Sequence, residues 1–234
     1  MNRICSRRIF TVALLCLFGM RAQAATRTWD GDGGNLLAST PANWAEGSAP
    51  TNNDQIVLNT TSHSNLTWNL DITAASWQQI GYTGTVTFLT KFPAGGSFDE
   101  FTIQGNCIIS NGVWTHLANL GGAASETDRL KMNIGTNLYL GPNAVIHADG
   151  RGYYRGGPGG VGRSLYGAGA TYGGVGAPRD NNSIRETYGS IVNPTNHGSG
   201  CGGYGGGTIE LRVGSLMQLA GSVRARGENT GWGG

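Results

Sequence analysis

Leu130-Lys131-Met132-Asn133-Ile134-Gly135, then Leu138-Tyr139-Leu140, then Ile146-His147-Ala148-Asp149-Gly150, is followed further along the chain by a close counterpart. The second version reads Ile209-Glu210-Leu211-Arg212-Val213-Gly214, Met217-Gln218-Leu219 and Val223-Arg224-Ala225-Arg226-Gly227. Apolar residues recur at every second position of each run, the period of a strand that buries one face. The offset is 79 residues from Gly135 to Gly214 and 77 from Gly150 to Gly227, so the middle turn is two residues longer in the first version. Three matches in register argue for an internal repeat.

Three short strands per unit, separated by turns, are what one level of a parallel β-helix requires. A single level cannot bury its own Leu, Ile and Val, so it must stack on its neighbours. Lys131, Asn133, Glu210 and Arg212 would take the solvent face. The expected fold is therefore all-β, a right-handed parallel β-helix, with a flat β-sandwich as the structural alternative. After residue 24 no window keeps a helical i, i+3, i+4, i+7 apolar pattern, and glycine supplies 41 of 234 residues.

The N-terminus is organised for export. Arg3, Arg7 and Arg8 precede an apolar run of twelve residues, Ile9 to Met20, and Ala22-Gln23-Ala24 offers small side chains to a signal peptidase. Twelve residues rise only about 18 Å as a helix, against about 30 Å of hydrocarbon, which argues against a retained anchor. Residues 1–24 are thus expected to be a removable signal peptide, and the mature chain to be extracellular or at the cell surface. Ser6-Arg7-Arg8-Ile9-Phe10 resembles the twin-arginine pattern, whereas the Leu-rich run suits the general route; both stay open. Removal takes four of the 16 basic residues and none of the 14 acidic ones, leaving a net charge of −2. Nothing in that balance favours nucleic acid.

Residues 25–92 read as a Trp-rich β module, with short strands at Gln55 to Asn59, Asn65 to Leu70, Ser76 to Ile80 and Thr85 to Thr90. Residues 93–234 read as the β-helix, interrupted by a Gly-rich insertion at 151–207 that is poor in large aliphatic residues. Asn111-Gly112 and Gly141-Pro142-Asn143 are expected to be turns between strands. Because the second unit runs straight into another Gly-rich tract, the chain is expected to be the first part of a longer stack.

The opening motifs carry a family resemblance. Thr28-Trp29-Asp30-Gly31, Ala42-Asn43-Trp44, Ala49-Pro50, Asn53-Asp54 and Ile56-Val57-Leu58, with Gly150-Arg151-Gly152-Tyr153 leading into a glycine run, resemble large exported bacterial surface proteins. These carry autotransporter-associated β-strand repeats and passenger-like β-solenoids. The resemblance implies a long right-handed β-helix at the cell surface and brings no catalytic residues with it.

Candidate sites follow from residue chemistry. Tyr153, Tyr154, Tyr166, Tyr172 and Tyr204, with Tyr188, punctuate the glycine tract and are suited either to packing or to stacking on sugar rings. Asp30, Asp32 and Asn35 put three oxygen-bearing side chains close together, as a Ca2+ loop would, with an Asx-rich turn as the competing reading. Cys107 and Cys201 are the two cysteines left after signal removal, either a disulfide or two separate buried thiols.

Gly157-x-Gly159-x-x-Gly162 has the letters of a dinucleotide fingerprint but no helical pattern follows it. His63, His116, His147 and His197 lack metal-ligand spacing, and no flanking strand–turn–helix positions Ser199. Asp149 and Arg226 fall at equivalent positions of the two units, beside His147 and Arg224; a surface ion pair accounts for them more simply than a catalytic pair. The expected function is non-catalytic display or adhesion, with polysaccharide or other cell-surface components as partners. The rival is a polysaccharide lyase or glycoside hydrolase on the same scaffold.

Overall fold

A computed structural model describes residues 24–119, 126–157, 172–174 and 187–228, without the side chains of residues 94, 155, 156, 201 and 202. The signal segment, Tyr166 and most of the glycine fingerprint lie outside the described residues. Within them the chain is all-β, with two single 3₁₀ turns at Pro41–Asn43 and Pro93–Gly95. Among the described residues no helix is long and apolar enough to cross a membrane.

The strands are β1 (Thr26–Thr28), β2 (Gln55–Leu58), β3 (Leu66–Trp68), β4 (Thr73–Ala74), β5 (Ser76–Gln79), β6 (Thr85–Phe88), β7 (Phe101–Ile103) and β8 (Cys107–His116). They continue as β9 (Leu130–Ile134), β10 (Leu138–His147), β11 (Tyr154–Gly156), β12 (Gly200–Tyr204), β13 (Ile209–Val213), β14 (Met217–Leu219) and β15 (Ser222–Arg224). One sheet runs β1-β2-β5-β8-β10-β14. There β6 lies beside the far half of β8, β3 beside β6, and β15 beside the far half of β10. A second sheet runs β4-β7-β9-β13. Every pairing in these two sheets is parallel, unlike the antiparallel sheets of a β-sandwich.

The registers build straight columns of inward side chains. Ile56, Trp77, Cys107, Leu138 and Met217 follow one another across the sheet, and so do Leu58, Gln79, Ile109, Leu140 and Leu219. Leu66, Val86, Trp114, Ile146 and Val223 form a third column. Ala74, Ile103, Ile134 and Val213 form a fourth, in the other sheet. The residues matched between the two related sequence stretches are therefore Cα partners: Met132 with Leu211, Leu140 with Leu219, Ile146 with Val223. The glycine ending each run has a steric reason. A Cβ on Gly135 would lie 2.2 Å from the Gln104 carbonyl oxygen, and one on Gly214 would lie 2.2 Å from that of Gly135.

The columns change character along the stack. Toward the N-terminus they are aromatic: Trp68, Trp77 and Trp114 follow edge to face at centroid distances of 5.2 and 5.3 Å, with Phe88 and Phe101 between them. Such pairs add about 0.5–1.5 kcal/mol each beyond area burial. Toward the C-terminus Leu130, Met132, Ile134, Leu138 and Ile146 take over. Gln79 is a buried amide among them, bonded at both its oxygen and its nitrogen. Its Oε1 accepts from Trp114 Nε1 at 2.8 Å, and its Nε2 donates to the Asn111 carbonyl at 2.7 Å.

Three expectations are revised. Asn111-Gly112 and Gly141-Pro142-Asn143 do not separate strands, because β8 and β10 run through them. At the first, Gly112 (φ +84°) lets the chain turn its inward parity; at the second, β10 bulges between Leu140 and Asn143. No break falls at residue 92, since β5 and β6 pair with β8, β4 pairs with β7, and one core runs through both segments. The Gly-rich insertion contributes its own antiparallel pair, β11 with β12. Glycine strands with almost no apolar side chains give a sequence pattern nothing to show.

The two ends of the stack differ. At the N-terminal end Trp29 bridges to Trp44, and both rings are buried. Trp44 Nε1 donates to the Ala38 carbonyl at 2.8 Å, Thr28 N–H to Glu46 Oε2 at 2.9 Å and Ala45 N–H to the Thr28 carbonyl at 2.9 Å. The edge of β1 is closed by its own loop. At the other end nothing equivalent covers the columns among the described residues, and Leu216 and Leu219 are 48% and 47% exposed.

Candidate functional site

The uncovered end is a groove of about 520 Å³. Ile209, Leu211, Met217, Leu219 and Val223 line it, the last members of columns that are buried one level below. Tyr172, Asn196 and Gly206 of the glycine tract line it too, with Thr208, and Arg224 adds a charge. Such a surface excludes water from apolar matter; it holds no pair of acid and base.

A buried polar cluster centred on His197 adjoins Asn196 and Thr208 of this lining. Its ring lies parallel to His116, 2° between planes and 5.7 Å between centroids, with Phe92 and Tyr153 meeting it edge-on. Glu126 fixes the segment: its carboxylate accepts the His197 backbone N–H at 2.7 Å and Asn196 Nδ2 at 3.1 Å. Thr208 Oγ1 lies 2.9 Å from His197 Nδ1, and His116 Nδ1 donates to the Leu117 carbonyl at 2.7 Å. Burial, reinforced by the facing His197, depresses His116 to a pKa of about 3; burial also brings His197 to about 4. Both rings are neutral at ordinary pH. Burial raises the Tyr153 phenol well above its ordinary value, with Glu126 adding to the effect.

The tyrosines separate by environment. Tyr153 is 1% exposed and presents no face to a sugar. Tyr153, Tyr188 and Tyr172 form a chain of edge-on contacts at 5.9 and 5.1 Å, which is packing. Tyr154 and Tyr204 are half-buried and lie against each other at 5.0 Å on the antiparallel pair β11–β12. Tyr166 lies outside the described residues.

Asp149 makes an ion pair, but its partner differs from the expected Arg226. Arg224 Nε donates to Oδ2 at 2.6 Å, while Arg226 contributes only its backbone N–H to Oδ1 at 2.8 Å. Partial burial pushes this carboxyl up, and the Arg226 N–H and Arg224 guanidinium outweigh it, so the net shift is downward. The alternation puts residues 224 and 226 on one side of the strand, and Arg224, in β15, is the closer to Asp149. His147 Nδ1 stands 3.9 Å from the same carboxylate.

The Asp30–Asn35 loop is tied internally. Asn35 Oδ1 accepts from Leu37 N–H, Thr40 Oγ1 and Asn43 Nδ2, and Asp30 Oδ1 accepts from Asp32 N–H, the bonding of an Asx turn. Among the described residues no group of three or more His, Cys, Asp or Glu side chains is arranged to hold a metal ion. Cys107 is a free thiol inside the stack, so the disulfide with Cys201 is not formed.

Sequence reasoning missed the groove, the His116–His197 stack and the grip of Glu126. Contacts between positions 71 to 81 residues apart leave no local pattern. No family model matches the chain, and it matches neither a curated protein nor a solved structure.

Proposed function

We propose that the chain is an exported, non-catalytic display module at the cell surface, wound as a right-handed parallel β-helix, with polysaccharide as its ligand class. The observation that carries this reading is the register: the residues of the two related stretches are strand partners, one level upon the next. Units that stack in this way build length and an extended, regular flank. The N-terminal pattern of Arg3, Arg7, Arg8 and Ala22-Gln23-Ala24 supports export.

The half-buried pair Tyr154 and Tyr204 is the aromatic surface best suited to a sugar ring, since the other described tyrosines of the tract pack together. The test is a polysaccharide array probed with the purified protein, beside a Tyr204→Ala variant. Retention on a polysaccharide that the variant loses supports the reading. Silence across the array removes the ligand and leaves a scaffold role. Cytoplasmic retention of the full chain, with residues 1–24 uncleaved, defeats the export claim.

A further inference from the structure

One carboxylate holds the start of β1. Asp54 is 4% exposed, and its Oδ1 accepts the Ala25 N–H at 3.2 Å. Its Oδ2 accepts from Arg27 Nε at 3.0 Å, Thr51 N–H at 2.9 Å and Thr51 Oγ1 at 3.1 Å. The Asp54 backbone is fixed as well, donating to the Thr51 carbonyl at 3.2 Å and accepting from Ala75 N–H at 2.9 Å. Ala25 is held a second time, since its carbonyl accepts the Gln55 N–H at 2.7 Å. Ala24, just before it, is exposed.

Burial pushes the Asp54 carboxyl up, and the Thr51 N–H, Arg27 and Ala25 N–H outweigh it, so the net shift is downward and the group is ionised. Its Oδ2 has a cation against it in Arg27, whereas among the described residues Oδ1 has only the neutral Ala25 amide. A nearly buried carboxylate gains more from a second cation than an exposed one does, because water screens the attraction less. A charged donor also makes a hydrogen bond roughly twice as strong as a neutral one.

The export pattern supplies that cation at the right atom. Cutting after Ala22-Gln23-Ala24 hydrolyses the Ala24–Ala25 bond with one water. Ala24 departs with a carboxylate, and Ala25 keeps an ammonium. The nitrogen that gains the charge is the one already on Asp54 Oδ1. A cut one residue later leaves Thr26 first and loses both Ala25 bonds, and an uncut chain keeps a neutral amide there. We propose that the Ala25 α-ammonium, released by removal of residues 1–24, is a ligand of Asp54, and that this ion pair fastens β1 to β2 only in the processed chain. Processing then secures the closed end of the stack, because β1 runs directly into the Trp29–Trp44 bridge. This rests on the export reading of the N-terminus.

Two forms of residues 25–234 test the ion pair, one with a free Ala25 amine and one acetylated there. The free form is expected to melt about 2–4 °C higher at pH 7. An α-amine titrates ordinarily at about 7.7–8.0, and the carboxylate raises it in the folded chain. The difference is therefore full below that range and fades as the pH climbs through the raised value toward about 10. Carboxylates and guanidinium groups do not titrate over that interval, so the loss reports the amine. Asp54→Asn is expected to erase the difference, and the comparison of the two unmutated forms stands even where that variant fails to fold. Equal melting of the two forms at pH 7 overturns the ion pair. N-terminal sequencing of the exported protein is expected to begin at Ala25, and a start at Thr26 overturns the proposal while sparing export. Retention in the cell with residues 1–24 attached removes the export reading and this proposal with it.

Discussion

Met217 lies on Leu138 in parallel register, yet Leu138 is fully buried and Met217 is 40% exposed. The same column that is core at one level is surface at the next. Leu138→Ala is therefore expected to destabilise by about 2–5 kcal/mol, as a buried truncation does. Met217→Ala is expected to change stability by under about 1 kcal/mol. Urea unfolding of both variants checks the contrast, and equal losses would contradict it.

Gln79 holds three groups at once, the Trp114 and Trp77 indole N–H groups on its Oε1 and the part-buried Asn111 carbonyl on its Nε2. Gln79→Leu takes the acceptor from the two buried indole N–H groups. Each orphaned group costs about 1–3 kcal/mol, so this nearly volume-conserving change is expected to lower stability far more than an exposed Gln would. The indole also loses its fixed environment, so the tryptophan fluorescence maximum is expected to shift in the folded variant.

Gly207 lies against the His116 ring, where a Cβ would fall 2.4 Å from Nε2 and 3.0 Å from the Ala148 methyl. Gly207→Ala is expected to cost about 1–3 kcal/mol through forced displacement. Gly227 has its nearest neighbour, the Tyr204 carbonyl oxygen, 3.5 Å from such a Cβ, so Gly227→Ala is the matched control with little effect. Thermal melts of the two proteins give the comparison.

The buried histidines set an acid limit. His116 and His197 stay neutral in the folded chain, with pKa values of about 3 and 4, whereas unfolding restores the ordinary 6.5. The unfolded state therefore binds more protons below pH 6.5. Stability is full above that pH and falls as the pH drops toward 4, by up to roughly 1.4 kcal/mol per histidine for each unit. The midpoint of urea unfolding between pH 7 and pH 4 measures the slope. A His116→Gln variant is expected to show a shallower one, and an unchanged slope would contradict the assignment.

What was legible in the sequence was periodic. Leu130 to Ile134 and Ile209 to Val213 could be read because alternation is the direct mark of a strand with one buried face. Their match over 79 residues could be read because stacked levels need like residues at like heights. Strand length was illegible at Gly112 and at Gly141-Pro142-Asn143, where a positive-φ corner and a bulge look like turns. The antiparallel glycine pair β11–β12 and the His116–His197 stack were illegible for another reason. Backbone pairing without apolar side chains, and contacts across a long loop, have no local signature. The tyrosines could be found by composition, but only packing separates buried Tyr153 from half-buried Tyr204.

The parallel register of β9 and β13 is the claim on which the rest depends, and intrachain disulfide trapping tests it most directly. Asn133 and Arg212 are Cα partners on the outer face. With Cys201→Ser as background and at high dilution, Asn133→Cys with Arg212→Cys is expected to close a disulfide on mild oxidation, because the Cα atoms of neighbouring strands lie within the range a disulfide spans. Lys131→Cys with Arg212→Cys, two residues out of register, is expected to stay reduced. Closure of the Lys131 pair and not the Asn133 pair would contradict the account.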